Sequence, residues 1–334
     1  MSETDQIAKP YYLFVGDISD EVIAKTALGI VQWRPSDCLA QTDASGAIDL
    51  GLPRMSPQAA AASGARTLVI GIAPAGGALP PAWISAIVEA LEAGLDIASG
   101  LHIRLDAIPE IAETAARHKR QLFNVRIPSR AFAVGKGLKR TGKRLLTVGT
   151  DCAVGKKYTA LAIHRALENK GIPATFRATG QTGILISGAG VAIDAVVADF
   201  VSGAAEWLSP DAPADHWDIV EGQGSLAHPS YAAVSLGLLH GSQPDAFIVC
   251  HDPARTTMTS TSYPVPSISR IIDLTIGMGR LTNPAIACAG IALNTSKLDE
   301  ATAHDIIGET QRALGLPCCD PIRFGVESIV EELL

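Results

Sequence analysis

Arg144-Leu-Leu-Thr-Val148 runs directly into Gly149-Thr-Asp-Cys-Ala-Val-Gly155-Lys156-Lys157. The first five residues read as a buried strand, and residues 158–170 have helical periodicity with Gly171 as a stop. Strand, glycine-bounded loop and helix in that order form a phosphate cradle. The glycines let consecutive backbone N–H groups turn inward around phosphate oxygens. The helix N-terminus aims its positive end at the anion, and the lysine neutralises charge. Gly149, Thr150, Asp151, Gly155, Lys156, Lys157 and Tyr158 are therefore the expected binding residues for a phosphate-bearing ligand.

Downstream, strand-like runs at 174–178, 217–220, 246–250 and 285–293 each end in a polar or glycine-rich tip. In open α/β sheets ligands sit at the carboxyl ends of the strands, so these tips are expected to converge on one crevice. The first tip, Arg177-Ala-Thr179-Gly-Gln181-Thr182-Gly183, offers a guanidinium for a carboxylate or phosphate, and Thr179, Gln181 and Thr182 to orient a substrate. A surface turn with one salt bridge is the plainer reading. The second tip, Glu221-Gly-Gln223-Gly224-Ser225, places an acid where a metal ligand or general base would stand, with Gln223 beside it. The third carries His251, a base that titrates near neutrality, and Arg255, a second cation for a carboxylate. The fourth begins with Asn294, a candidate adenine contact. Asp194 and Asp199 interrupt an apolar, helix-patterned stretch at 191–207. An acid there is paired, solvent-facing or a site group, and Asp199 is kept as a catalytic candidate.

Upstream, strand and helix patterns alternate from residue 11 to residue 125, which predicts a parallel sheet of about four or five strands. The half lacks Gly-x-Gly-x-x-Gly, so its Rossmann-like class implies no dinucleotide. The fold class is thus α/β: an N-terminal Rossmann-like parallel-sheet domain at 1–130, a linker at 131–143 and a C-terminal P-loop NTPase-like α/β domain at 144–334. The basic run 136–144 reads as a solvated linker, or else as a local basic groove.

The net charge of −7 over 334 residues argues against a nucleic-acid partner. Six cysteines form no Cys-x-x-Cys pair, which fits buried free thiols in a reducing compartment. The first residues are polar, without a signal-peptide pattern, and no apolar run approaches ~20 residues. A cytoplasmic protein with no membrane partner is expected, and a homodimer is the default for such an enzyme.

Two departures refine the ligand. Five residues separate Gly149 from Gly155, one more than in the usual loop. Lys157 stands where a serine or threonine normally holds Mg²⁺. A cation there repels Mg²⁺ and favours more phosphate, so coenzyme A fits better than ATP, and no metal is assigned. The loop Gly-Thr-Asp-x-x-Val-Gly-Lys resembles that of dethiobiotin synthetase. Together with Ala178-Thr-Gly-Gln-Thr-Gly183 and Val220-Glu-Gly-Gln-Gly-Ser225, behind a Rossmann-like half, it resembles a bacterial family that includes D-glutamate N-acetyltransferases and was long labelled only as a domain of unknown function. The resemblance implies acetyl transfer from acetyl-CoA to the amine of a small-molecule D-amino acid, most of all D-glutamate. It does not say which residues are catalytic. On physical grounds Glu221 or His251 is the base, and backbone N–H groups at 222–224 hold the oxyanion. Cys152, a thiol beside lysines at a helix N-terminus, is a possible acyl carrier, but direct transfer is simpler. The rival reading is an ATP-dependent ligase or kinase of the dethiobiotin-synthetase type, which needs Mg²⁺ on Asp151, Thr159 and Glu221. A non-catalytic nucleotide sensor is the third.

Overall fold

The computed structural model describes residues 6–21, 23–72, 79–128 and 130–334. The chain forms two compact units, Met1–Ser129 with Gly180–Ala192, and Arg130–Thr179 with Ile193–Leu334.

In the first unit, β1 (Tyr11–Phe14), β2 (Cys38–Thr42), β3 (Arg54–Met55), β4 (Thr67–Ile70), β5 (Asp96–Ser99) and β6 (Leu122–Asn124) build one sheet in the order β3-β2-β1-β4-β5-β6. Every pairing is parallel. This is the doubly wound order of Rossmann-like sheets. All four residues of β1 and of β4 are buried, as expected of strands covered on both faces by crossover helices. Those helices are α1 (Lys25–Trp33), α2 (Pro57–Ala62), α3 (Pro81–Glu92) and α4 (Pro109–His118). The sheet has six strands rather than four or five, because the two-residue β3 is too short to leave a pattern in the sequence.

The surprise is α6 (Gln181–Ser187), which follows α5 (Lys156–Asn169) and β8 (Ala174–Arg177) of the other unit but belongs to the first. Its Ile184, Leu185 and Ile186 are buried. Thr182 Oγ1 lies 3.4 Å from Thr26 Oγ1 on α1, and the Ile7 N–H donates to Gly188 O at 2.9 Å. Gln181 lies against Gly100, where a Cβ would come within 3.2 Å of its own.

The second unit is built on β7 (Lys143–Gly149), β8, β9 (Trp217–Val220), β10 (Ala246–His251), β11 (Ala287–Leu293) and β12 (Cys318–Cys319), in the order β12-β11-β10-β7-β9-β8 and parallel throughout. The helices are α5, α7 (Val201–Leu208), α8 (Ala232–Ser242), α9 (Ile268–Gly279), α10 (Glu300–Leu314) and α11 (Glu327–Leu333). β7 lies between β9 and β10, where the winding reverses, so the loop after it opens at the switch point that α/β sheets use for ligands.

Two sequence expectations change here. The stretch 191–207 is not one helix: two single turns, Ile193–Ala195 and Ala198–Phe200, precede α7. The basic run is not simply solvated either. Arg144 is 1% exposed and donates to the carbonyls of Arg140, Thr141 and Pro210 at 3.1, 2.9 and 2.9 Å. Buried guanidinium donors must all find acceptors, so this side chain ties the preceding segment to the sheet. Glu206 on α7 accepts the Lys136 and Gly137 N–H groups, each at 2.8 Å. Among the described residues no helix is long and apolar enough to cross a membrane.

Candidate active site

Two residues of the loop between β7 and α5 take left-handed backbone conformations. Gly155 has φ +106°, in the region that only glycine enters freely. Ala153 sits at φ +52°, a strained value for a residue with a Cβ. α5 then runs for 14 residues away from the loop, with its N-terminal N–H groups at the mouth. Lys156 is only 7% exposed. Its Nζ donates to the loop's own Asp151 carbonyl at 2.7 Å, and burial depresses its pKa, against the pull of Cys250, Cys152, Asp151 and Glu221. Among the described residues the Asp151 carbonyl is its one hydrogen-bond partner.

Asp151 has a different role from the one its motif suggests. Its carboxylate is fully buried and accepts four hydrogen bonds: Cys152 N–H at 2.7 Å, Arg255 Nη1 at 2.7 Å, Thr259 N–H at 2.7 Å and Thr259 Oγ1 at 2.9 Å. Burial pushes the carboxyl up, but the Arg255 and Thr259 bonds and the Cys152 N–H outweigh it and hold it below the usual carboxylate range. Arg255 Nη1 also donates to Cys152 O at 2.7 Å. Asp151 and Arg255 thus form a clasp between the loop and the segment after β10. The sulfur of Cys152 and a nitrogen of His228 come within 4.8 Å of the Asp151 carboxylate. Hydrogen bonds already use Asp151 and His228: His228 Nδ1 accepts the Ser230 N–H at 3.1 Å, which leaves Nε2 to donate to Thr259 O at 2.9 Å.

The Mg²⁺ positions fare poorly. Lys157 is half-buried, its ammonium 4.4 Å from the Tyr158 ring centroid. Thr159 is buried, donates to Gly155 O at 3.1 Å and accepts from Cys250 Sγ at 3.4 Å. Asp151 and Thr159, two of the residues the ATP reading needs, are thus engaged by hydrogen bonds within the protein.

Glu221 directly follows β9 and is 4% exposed. Its Oε2 accepts the Thr179 N–H at 2.9 Å, while Thr179 Oγ1 donates to Glu221 O at 2.6 Å and accepts from Gln223 Nε2 at 3.0 Å. The next residue must be glycine: a Cβ on Gly222 would stand 1.6 Å from Thr147 O, whose side-chain Oγ1 accepts the Gly222 N–H at 2.9 Å. This close approach presses the acidic tip against β7, and the Glu221 charge is felt by both Lys156 and Lys157. His251, at the end of β10, pairs its Nδ1 with Thr150 Oγ1 at 2.9 Å. Asn294 anchors through its backbone N–H to His251 O at 2.8 Å. Arg177 donates from Nε to the buried Asp218 at 2.7 Å.

The predicted site residues therefore divide. The loop, Thr179, Glu221, Gln223, His251, Arg255 and Asn294 lie on the loop and strand ends of one unit. Gln181 and Thr182 belong to the other unit. Asp199 is exposed in the turn before α7 and makes no hydrogen bond or ion pair among the described residues. Thr147, Asp218 and Thr259 were not foreseen. They bind the named residues across long stretches of chain, and no local pattern marks them.

Fold and site together define a P-loop α/β protein with a Rossmann-like companion unit. A family model described as "Domain of unknown function (DUF1611_C) P-loop domain" matches residues 131–330, and one described as "Domain of unknown function (DUF1611_N) Rossmann-like domain" matches residues 38–128. The chain belongs to this family. It is 50% identical, over 98% of its length and 99% of the relative's, to a protein of Pseudoalteromonas sp named D-glutamate N-acetyltransferase. It is 47% identical to one of the same name from Tritonibacter scottomollicae, again over 98% of this chain and 99% of that one. A crystal structure of a DUF1611 family protein from Anabaena variabilis superposes with a TM-score of 0.84 at 32% identity, covering 98% of this chain and 99% of that one.

Proposed function

We propose that this protein moves an acetyl group from acetyl-CoA to the amino group of D-glutamate, with the loop 149–156 holding the phosphates of coenzyme A. The observation that carries the ligand is the loop's chemistry: a buried Lys156, a second cation at Lys157, and an Asp151 spent on Arg255 and Thr259. The two relatives named for this reaction, alike over nearly their whole length, support the acceptor.

Acetyl-CoA supplies an activated thioester when bound. The chain supplies the rest. Lys156, Lys157 and the first N–H groups of α5 neutralise and orient phosphate. Arg177 holds Asp218, two residues back along the sheet and in register with Arg144, and Arg255 is committed to the clasp, so neither is assigned to the acceptor carboxylates. Glu221 receives the proton that the acceptor amine gives up. The Cys152 thiol is raised above its ordinary value by burial, with Asp151 adding to the rise and Lys156 and Arg255 opposing it. It is held protonated, and so is a poor acyl carrier. Cys152→Ala is expected to keep kcat within about twofold of the parent; a complete loss would restore the covalent route.

The deciding assay incubates the pure protein with acetyl-CoA and a panel of D- and L-amino acids, and follows free thiol. Release with D-glutamate, in the absence of ATP and Mg²⁺, is the expected result. No release with any amine, together with Mg²⁺-dependent ATP turnover, would move the chain to the ligase class.

A further inference from the structure

Thr150 is completely buried. Its backbone N–H donates to Cys250 O at 3.1 Å, which leaves the hydroxyl as the group with a role to explain. That hydroxyl has one partner among the described residues, Nδ1 of His251 at 2.9 Å. A buried hydroxyl proton without an acceptor costs about 1–3 kcal/mol, and Nδ1 is the acceptor within reach. The proton therefore lies on Thr150, Nδ1 accepts it, and the neutral ring carries its own hydrogen on Nε2. Burial, opposed by Asp252 and helped by Arg255, lowers the His251 pKa, which favours the neutral ring. His251 also borders an open cavity of about 480 Å³, walled in part by Arg255, Val265, Ile268 and Leu314. This is within the size range of small-molecule sites.

Resting on the acetyl-transfer reading, we infer that Thr150 is a positioning residue that locks His251 as the Nε2–H tautomer, making His251 a hydrogen-bond donor to the acyl oxygen and not the base. As the amine nitrogen bonds to the acyl carbon, the C=O electron pair moves onto oxygen, where the Nε2–H meets the growing charge. The pair then returns, the C–S bond breaks, and sulfur leaves with its electrons as the thiolate. The amine proton goes to Glu221. A neutral Nε2–H keeps its proton throughout. The loop that holds the phosphates thereby also orients the group that polarises the thioester.

The test reads the ring nitrogens of His251 by heteronuclear NMR on the isotope-labelled protein without ligand, with His251→Gln identifying the resonances by their loss. The expected spectrum has Nε2 protonated and Nδ1 bare. Thr150→Val should convert it to a mixture of tautomers and lower kcat ~10- to 100-fold, and Thr150→Ser should recover the tautomer and most of kcat. A wild-type ring protonated on Nδ1 overturns the inference, as does Thr150→Val with unaltered kcat. The tautomer is read without turnover. Absence of acetyl transfer with the Nε2–H tautomer in place would overturn the proposed function and with it the donor role of His251, whereas the wrong tautomer in an active enzyme would overturn this inference alone.

Discussion

Lys156→Met is expected to cut the proposed acetyl transfer sharply and to leave the protein at least as stable as before. The side chain is buried, its Nζ rests on the Asp151 carbonyl, and the room around it is limited: a Cβ on Gly149 would approach Nζ to 3.2 Å. With phosphate bound, the ammonium exchanges one carbonyl for anionic oxygens in a site shielded from water, where such contacts are strongest. Losing one charged donor of this kind lowers kcat/KM for acetyl-CoA ~10²- to 10³-fold. Without ligand the same charge is a liability, since burial depresses its pKa and a methionine of similar length needs no solvation. Activity and thermal unfolding should therefore move in opposite directions. A fall in melting temperature of several degrees would mark Lys156 as a structural residue. Retained kcat/KM would remove the loop from the reaction.

What the sequence revealed was whatever a short stretch decides. Strand, glycine, loop, Gly155-Lys156 and helix are contiguous, so the strand, the loop and the helix after it were legible. The buried strands of both sheets announced themselves because burial on two faces leaves unbroken apolar runs such as Tyr11–Phe14. Legibility stopped where partners are distant. The helical pattern of Gln181–Ser187 says nothing about which sheet receives Ile184 and Leu185. Asp151 in its motif looks turned toward a ligand or metal, yet its partners Arg255 and Thr259 stand 104 and 108 residues further on. Arg177 was read as an open fork before Asp218, on the neighbouring strand, took its Nε. Ala-rich hydrophobicity over 191–207 suggested one helix, because composition does not record that Asp194 and Asp199 occupy exposed turns.

Asp151→Ala should destabilise the protein by about 2–4 kcal/mol, the low side of the cost of breaking a buried ion pair, because Arg255 is one-fifth exposed and water can reach the abandoned guanidinium. Arg255→Ala strands the buried carboxylate instead. The double variant should then lose about 1–3 kcal/mol less than the two single losses added together, which is the coupling energy of the clasp. The pH dependence follows from the sign of the shift. The folded carboxyl has a pKa below its ordinary 3.8, so the unfolded chain takes up the proton first as acid is added. The contribution is complete above the ordinary value and disappears as pH falls through the folded one. The gap in unfolding free energy between the parent and Asp151→Ala, measured by urea denaturation, should therefore be constant near neutrality. It should narrow from about pH 4 downward. A gap that widens in acid would mean that the carboxyl is protonated in the native protein, and would overturn the charged clasp. Additive single losses would show that Asp151 and Arg255 act separately. In that case Arg255 would be free for a substrate carboxylate, and the segment after β10 would be held to the loop by Thr259 without it.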